Sequence, residues 1–321
     1  MRIALRRLAA LMLALAAAIA PAQAQNWPSR AITLIVPFPA GGATDMYART
    51  IAPFVERRLG QPVVILNRVG AGGAIGAQAI AQARPDGYTV GSLTFPSAYA
   101  PVVQGTARYK AEDLVPLINQ ANGSIVLVVH PSSPIRSVAD FLQFARTAPG
   151  GPTIGLTGIG HTGHMGALLL QGLGDYRAEY VPYNGGGPAA TALIAGHYQI
   201  GMLNTLELVE AHRAGQVRMI ALASAERSPL VPNVPTFRES GFDFVFESLT
   251  GFAMPQGIPA PVQARLVEAF ESAAQDPEYL RIAQQREIIP AYVNHRDYPA
   301  YIARAVGQLE QVWRQHPWGA P

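Results

Sequence analysis

Val36-Pro37-Phe38-Pro39-Ala40-Gly41-Gly42 returns further along the chain as Val181-Pro182-Tyr183-Asn184-Gly185-Gly186-Gly187. Each copy follows an apolar, β-branched run and leads into a helical pattern, at 32–36 and 44–59 for the first and at 179–181 and 188–195 for the second. Glycine leaves the backbone N–H groups of such a turn open to an approaching ligand. The helix that follows adds unpaired first-turn donors and the positive end of its dipole, which together suit an anion. Either loop alone reads equally well as an ordinary tight strand-to-helix turn. As a pair, one in each half of the chain, they read as opposed grips on an anionic ligand across a cleft.

Outward from these loops, strand-like and helix-like patterns alternate. Strands are expected at 32–36, 63–66, 88–93, 125–129, 153–156, 179–181, 200–203, 219–223 and 242–246. Helices are expected at 44–59, 74–83, 138–148, 163–172, 188–195, 206–214, 261–274 and 297–315, the last with Tyr301, Ala305, Leu309 and Val312 as an apolar stripe at helical period. Such alternation argues for parallel sheets covered by helices. Two segments read as crossings between lobes. One runs from Asn122 through Val129 to the turn Pro131-Ser132-Ser133-Pro134, and the other is 247–259, punctuated by Gly251, Pro255, Gly257 and Pro259. The chain is therefore expected to form lobe one from 26–124 plus 250–321 and lobe two from 125–249.

The N-terminus reads as a secretory signal over residues 1–24. Arg2, Arg6 and Arg7 open it, Leu8 to Ala20 is apolar, and Ala22-Gln23-Ala24 fits a small-x-small cleavage site. The apolar run falls short of the about 20 residues that a membrane span needs. A soluble, periplasmic protein starting near Gln25 is expected. The chain has 24 basic and 21 acidic residues, and three of the arginines lie in that leader, so the remainder is balanced. A nucleic-acid partner, which would need a clustered basic face, is not expected. With no cysteine, thiol catalysis, zinc–thiolate sites and disulfides are excluded.

Further features bear on chemistry. Gly155-Leu156-Thr157-Gly158-Ile159-Gly160-His161-Thr162-Gly163-His164 also joins a strand to a helix. His161 and His164 have no carboxylate or cysteine beside them in this stretch, so hydrogen bonding to a ligand or to the loop is expected rather than a metal. Gly70-Ala71-Gly72-Gly73-Ala74-Ile75-Gly76 departs in spacing from the dinucleotide fingerprint and has no acidic partner on the next strand, so it reads as structural. Asp45 either caps the helix start or holds the ammonium group of an amino-acid ligand. Thr94 and Ser97 follow a strand end, where side chains of α/β sheets open into the cleft. No Gly-x-Ser-x-Gly elbow is present, which argues against acyl transfer.

In their order and spacing these motifs resemble the substrate-binding receptors of tripartite tricarboxylate transporters, the Bug receptors. The pieces that carry the likeness are 32–38 with Gly41, Gly42 and Asp45, then Asn67-Arg68 with Gly70–Gly73. Pro85-Asp86-Gly87-Tyr88-Thr89, Gly158-Ile159-Gly160 with His164, Val181-Pro182-Tyr183 with Gly185–Ala189, and Val234-Pro235-Thr236 ahead of Gly241-Phe242 complete it. The resemblance implies a type II periplasmic-binding-protein fold, two lobes of mainly parallel sheet with a cleft between them, and no catalysis or cofactor. It implies a monomeric receptor that captures a small carboxylated molecule, partly through ordered water, for inner-membrane transporter subunits. Its contact positions carry over as Phe38, Gly41, Gly42, Ala43, Thr44, Asp45, Thr94 and Ser97 on one side. Thr157, His161, Thr162, His164, Tyr183 and Asn204 face them.

The chain departs from the family pattern inside the cleft. Asn184 stands where lysine is usual, Ala192 where an acid is usual, and Gly201-Met202-Leu203-Asn204 where relatives often have Met-Phe-Asp-Asn. His161 and Gly163 replace serines. Ligand identity is thereby left open. Two other functions are consistent with the residues: a ligand sensor that signals to a membrane partner, and a hydrolase or isomerase using His161 or His164 with Asp45. A strongly shifted histidine in the cleft would favour the last.

Overall fold

The computed structural model describes residues 27–315 and 317–318; the leader at 1–24 and the start near Gln25 lie outside them. One continuous sheet runs through the molecule. Its strands are β1 (Ile32–Val36), β2 (Val63–Asn67), β3 (Thr89–Phe95), β4 (Leu114–Val129), β5 (Thr153–Leu156), β6 (Glu179–Pro182), β7 (Ile200–Asn204), β8 (Arg218–Leu222), β9 (Glu247–Pro255) and β10 (Pro290–Val293). The order is β2-β1-β3-β9-β4-β7-β5-β6, with β8 and β10 also pairing with β4.

Each half contains a parallel trio, β2-β1-β3 in one and β7-β5-β6 in the other. Two antiparallel strands, β4 and β9, join them. The N-terminal part of β4 pairs with β9 and β10, and its C-terminal part with β7 and β8. At 16 residues, β4 extends about 50 Å at a strand's rise per residue, which is long enough to serve both halves.

Helices cover the sheet. In the first half these are α1 (Ala43–Leu59), α2 (Ala74–Ala81) and the short α3 (Ala100–Val103). The second half carries α4 (Val138–Thr147), α5 (Thr162–Gly174), α6 (Gly186–Ile194) and α7 (Val209–Arg213). The chain then returns through α8 (Ala260–Ala274), α9 (Pro277–Gln285) and α10 (Tyr298–Gln315) to pack on the first half. Ile32, Leu34, Ile51, Phe54, Leu266 and Phe270 form one core, and Leu127, Phe141, Leu156, Ala167 and Phe237 another. Each large apolar side chain so buried contributes about 1.5–3 kcal/mol. α1 ends at Gly60, which takes the left-handed conformation (φ 70°) and donates its N–H to the Glu56 carbonyl at 2.8 Å.

Two sequence expectations are corrected. Residues 242–246 form no strand; Phe244 is buried edge-on against Phe237 instead. The strand lies in the next segment, β9, which reads from sequence as a crossing loop because of Gly251 and Pro255. Gly251 is there because a Cβ would run into the Ile118 carbonyl of β4. It marks close approach of two strands rather than a break. The helix expected at 206–214 divides into a 3₁₀ turn, Leu206–Leu208, and α7.

Candidate functional site

The parallel trios aim their C-terminal ends at one another, so the loops β1–α1, β5–α5 and β6–α6 meet across the crevice where α/β sheets bind ligands. They enclose a cavity of ≈ 180 Å³. Nine sequence-expected residues line it: Phe38, Gly41, Gly42, Ala43, Thr44, Thr94, Thr157, His161 and Asn204. Gly186 and Gly187 of the second Val-Pro-aromatic loop stand opposite. The two echoed loops touch, since a Cβ on Gly185 would lie 3.0 Å from Pro39 Cδ.

The backbone presents donors on both sides. Ala43 and Thr44 open α1 and Gly186 and Gly187 open α6, positions whose N–H groups have no intrahelical acceptor. Thr94 adds a hydroxyl at the end of β3 that is buried, 4% exposed, and without a hydrogen-bond partner. Among the described residues, no lysine or arginine lines the cavity.

Five expected residues do not line it. Asp45 turns behind its loop. Its Oδ2 accepts from the Gly41 amide (2.9 Å) and Arg49 Nε (2.8 Å), and its Oδ1 accepts from Asn67 Nδ2 (2.9 Å). Burial pushes its carboxyl up, but the bonds from Arg49, Gly41 and Asn67 outweigh burial and hold it below the ordinary value. Both oxygens are thus committed to shaping the loop. His164 accepts the Gly160 amide at 3.1 Å and packs edge-on against Tyr180. Tyr183 packs tilted against Tyr198 and lines a separate outer groove with Ile75, Gly158 and Ile159. Ser97 and Thr162 are buried hydroxyls, 3% and 1% exposed, outside the cavity wall.

His161 faces the cavity, with Nδ1 2.5 Å from Thr157 Oγ1 and its ring edge-on to Phe38. Burial lowers both His161 and His164 to about 4, so both are neutral near pH 7. A shifted histidine in a cleft is what catalysis would also produce. Here desolvation alone is the cause, and Asp45, the expected partner, is engaged elsewhere. Among the described residues there is no cluster of three or more His, Asp or Glu able to hold a metal.

Sequence reasoning missed Tyr47, Ser248, Thr250 and, above all, Glu207. Glu207 lies in the 3₁₀ turn after β7, and its Oε1 accepts the Ala43 amide at 3.4 Å. Its Oε2 is buried and has no hydrogen-bond partner. Burial raises its carboxyl to about 7, against a smaller lowering from the Ala43 N–H. Charge in a helical surface pattern normally marks a solvated residue, so nothing in the sequence pointed to it.

Residues 47–316 match the family described as "Tripartite tricarboxylate transporter family receptor". Protein BugT of Bordetella pertussis is 32% identical over 312 residues, covering 95% of each chain. MatC of Rhodopseudomonas palustris, solved with bound malate, is 27% identical with a TM-score of 0.80, covering 89% of this chain and 99% of its own. A second R. palustris structure, with adipate, is 28% identical with a TM-score of 0.81, covering 90% and 97%. The architecture is that of periplasmic binding proteins.

Proposed function

This chain belongs to the tripartite tricarboxylate transporter receptor family, and from that premise we propose that it captures a small carboxylated molecule between the two Val-Pro-aromatic loops. The observation that carries this reading is the opposition of two helix starts, α1 and α6, across one cavity that also holds the unpartnered Thr94 hydroxyl. Backbone N–H groups at Thr44 and Gly187 supply hydrogen bonds to a carboxylate, and the two helix dipoles favour its charge. The malate and adipate held by the two R. palustris relatives support the ligand class.

The contact set comprises Phe38, Gly41, Gly42, Ala43, Thr44, Thr94, Thr157, His161 and Asn204. Asp45 acts by holding the first loop in shape. The lobes are 26–124 with 250–321 and 125–249, hinged where Asn122, Gly123 and Ser124 of β4 pair with Leu249, Ser248 and Glu247 of β9. The protein works in the periplasm after cleavage near Ala24, as a monomer that delivers its ligand to inner-membrane transporter subunits. No helix among the described residues is long and apolar enough to cross a membrane. The receptor role itself does not call for catalysis.

Native mass spectrometry of protein purified without refolding tests the ligand class, followed by calorimetric titration with the species recovered. A bound carboxylate that rebinds one-to-one supports the reading. A retained ligand without a carboxylate contradicts it.

A further inference from the structure

Glu207 is the one charged side chain lining the cavity among the described residues. Its carboxylate lies where the two grips meet. Oε1 takes the Ala43 N–H at the start of α1, and a Cβ placed on Gly186, at the start of α6, would overlap both carboxylate oxygens. The chain's own acid therefore sits against both helix starts. Asn204 Oδ1 accepts the Leu206 amide, and no hydrogen bond joins its Nδ2 to Glu207. Among the described residues, no arginine or lysine lines the cavity to neutralise it.

Two consequences follow for a ligand. Oε2 is a buried acceptor without a partner, and a buried acceptor is stabilised only when a donor reaches it. A second carboxylate beside Glu207 meets a like charge at short range, and two carboxylates share such a site only if one of them is protonated. Where Glu207 is ionised, a dicarboxylate brings two negative charges to a cavity that already holds one.

Resting on the receptor function proposed above, we propose that Glu207 is a specificity-determining residue. It makes this cleft select a carboxylated ligand that also carries an N–H-bearing cation, as an amino acid does, over the matching acid that lacks one. The ammonium group donates to Glu207 Oε2. The ligand's carboxylate takes the donors left open, the Thr44 and Gly187 amides and the Thr94 hydroxyl. Complementary charges on ligand and site discriminate both by the pair that forms and by the repulsion that excludes the competitor.

Two matched probe pairs test this at pH 8, where Glu207 is mostly ionised: malate with aspartate, and adipate with 6-aminohexanoate. Calorimetric titration compares the wild type with Glu207→Gln, which keeps shape and removes charge. The expected wild type binds the ammonium-bearing member of a pair at least tenfold more tightly, and Glu207→Gln shrinks or reverses that ratio by tenfold or more. If neither protein binds these four, the same ratio is read from a thermal-shift screen of amino acids against the matching carboxylic acids. A wild type that does not prefer the ammonium-bearing member of a pair at pH 8, or a Glu207→Gln variant that keeps the wild-type ratio, overturns the assignment. If no carboxylate of either class stabilises either protein, the receptor reading itself falls.

Discussion

Gly72 packs so closely on Ile159 that a Cβ at position 72 would run into the Ile159 carbonyl oxygen. The two residues belong to opposite halves of the sheet, Gly72 in the turn before α2 and Ile159 in the loop between β5 and α5. The glycine motif that resembles a nucleotide fingerprint is therefore a contact surface between the halves. Its glycine at 72 also has a positive φ of 62°.

Gly72→Ala is expected to hold the halves apart and weaken ligand binding about tenfold. Part of its effect is backbone strain, about 1–2 kcal/mol for a side chain in the left-handed region. Gly60→Ala is the control: Gly60 has a similar φ of 70°, but a Cβ there meets open space. Small-angle scattering with saturating ligand should give a larger radius of gyration for Gly72→Ala than for Gly60→Ala. Equal radii and equal affinities would show that the contact has no part in closure.

Asp45→Asn should destabilise the protein by roughly 2 kcal/mol, the scale for losing charge-assisted hydrogen bonds at a buried site. The folded pKa of Asp45 is depressed below 3.8. Its contribution is therefore present above that value and is lost as pH falls through the still lower folded value. Urea unfolding at pH 7 and pH 3 should show a larger gap between wild type and variant at pH 7. A gap that does not narrow in acid would mean that the charge is not what holds the loop.

Glu207 gives the opposite slope. Its carboxyl is raised from 4.5 to about 7, so between those values the folded chain holds the proton more than the unfolded chain does. Stability from this group is present below pH 4.5 and is lost as pH rises through 7. His161 and His164, lowered from 6.5 to about 4, act the other way and are lost as pH falls through that window. Glu207→Gln removes only the first effect. The stability of the variant relative to wild type should rise by about 1–3 kcal/mol between pH 5 and pH 8. A constant difference would show that Glu207 is solvated.

The parallel trios and their helices were legible because periodicity and burial agree there; β1 runs over Ile32–Val36 as the pattern indicates. The long β4 was half hidden. Its N-terminal part carries Pro116, Asn119, Gln120 and Asn122, polar or breaking residues that look like a loop but pair with β9, and Asn119 and Gln120 are buried. Gln120, for example, reaches Tyr279 at 2.6 Å, a partner 159 residues away. In the site, glycine turns announce themselves locally, whereas the direction of a carboxylate depends on its backbone. Asp45 faces away from the cavity because its own helix start takes it up. Glu207 faces in because a 3₁₀ turn interrupts the helical pattern that would have left it on the surface.

The most direct test of the account is a crystal structure with the carboxylated ligand that the protein retains or rebinds. The ligand's carboxylate oxygens are expected within hydrogen-bond distance, about 2.7–3.2 Å, of the amides at Thr44 and Gly187, directly or through one ordered water. A ligand lodged in the outer groove beside Ile75 and Tyr183, or one whose carboxylate meets neither helix start, would contradict it.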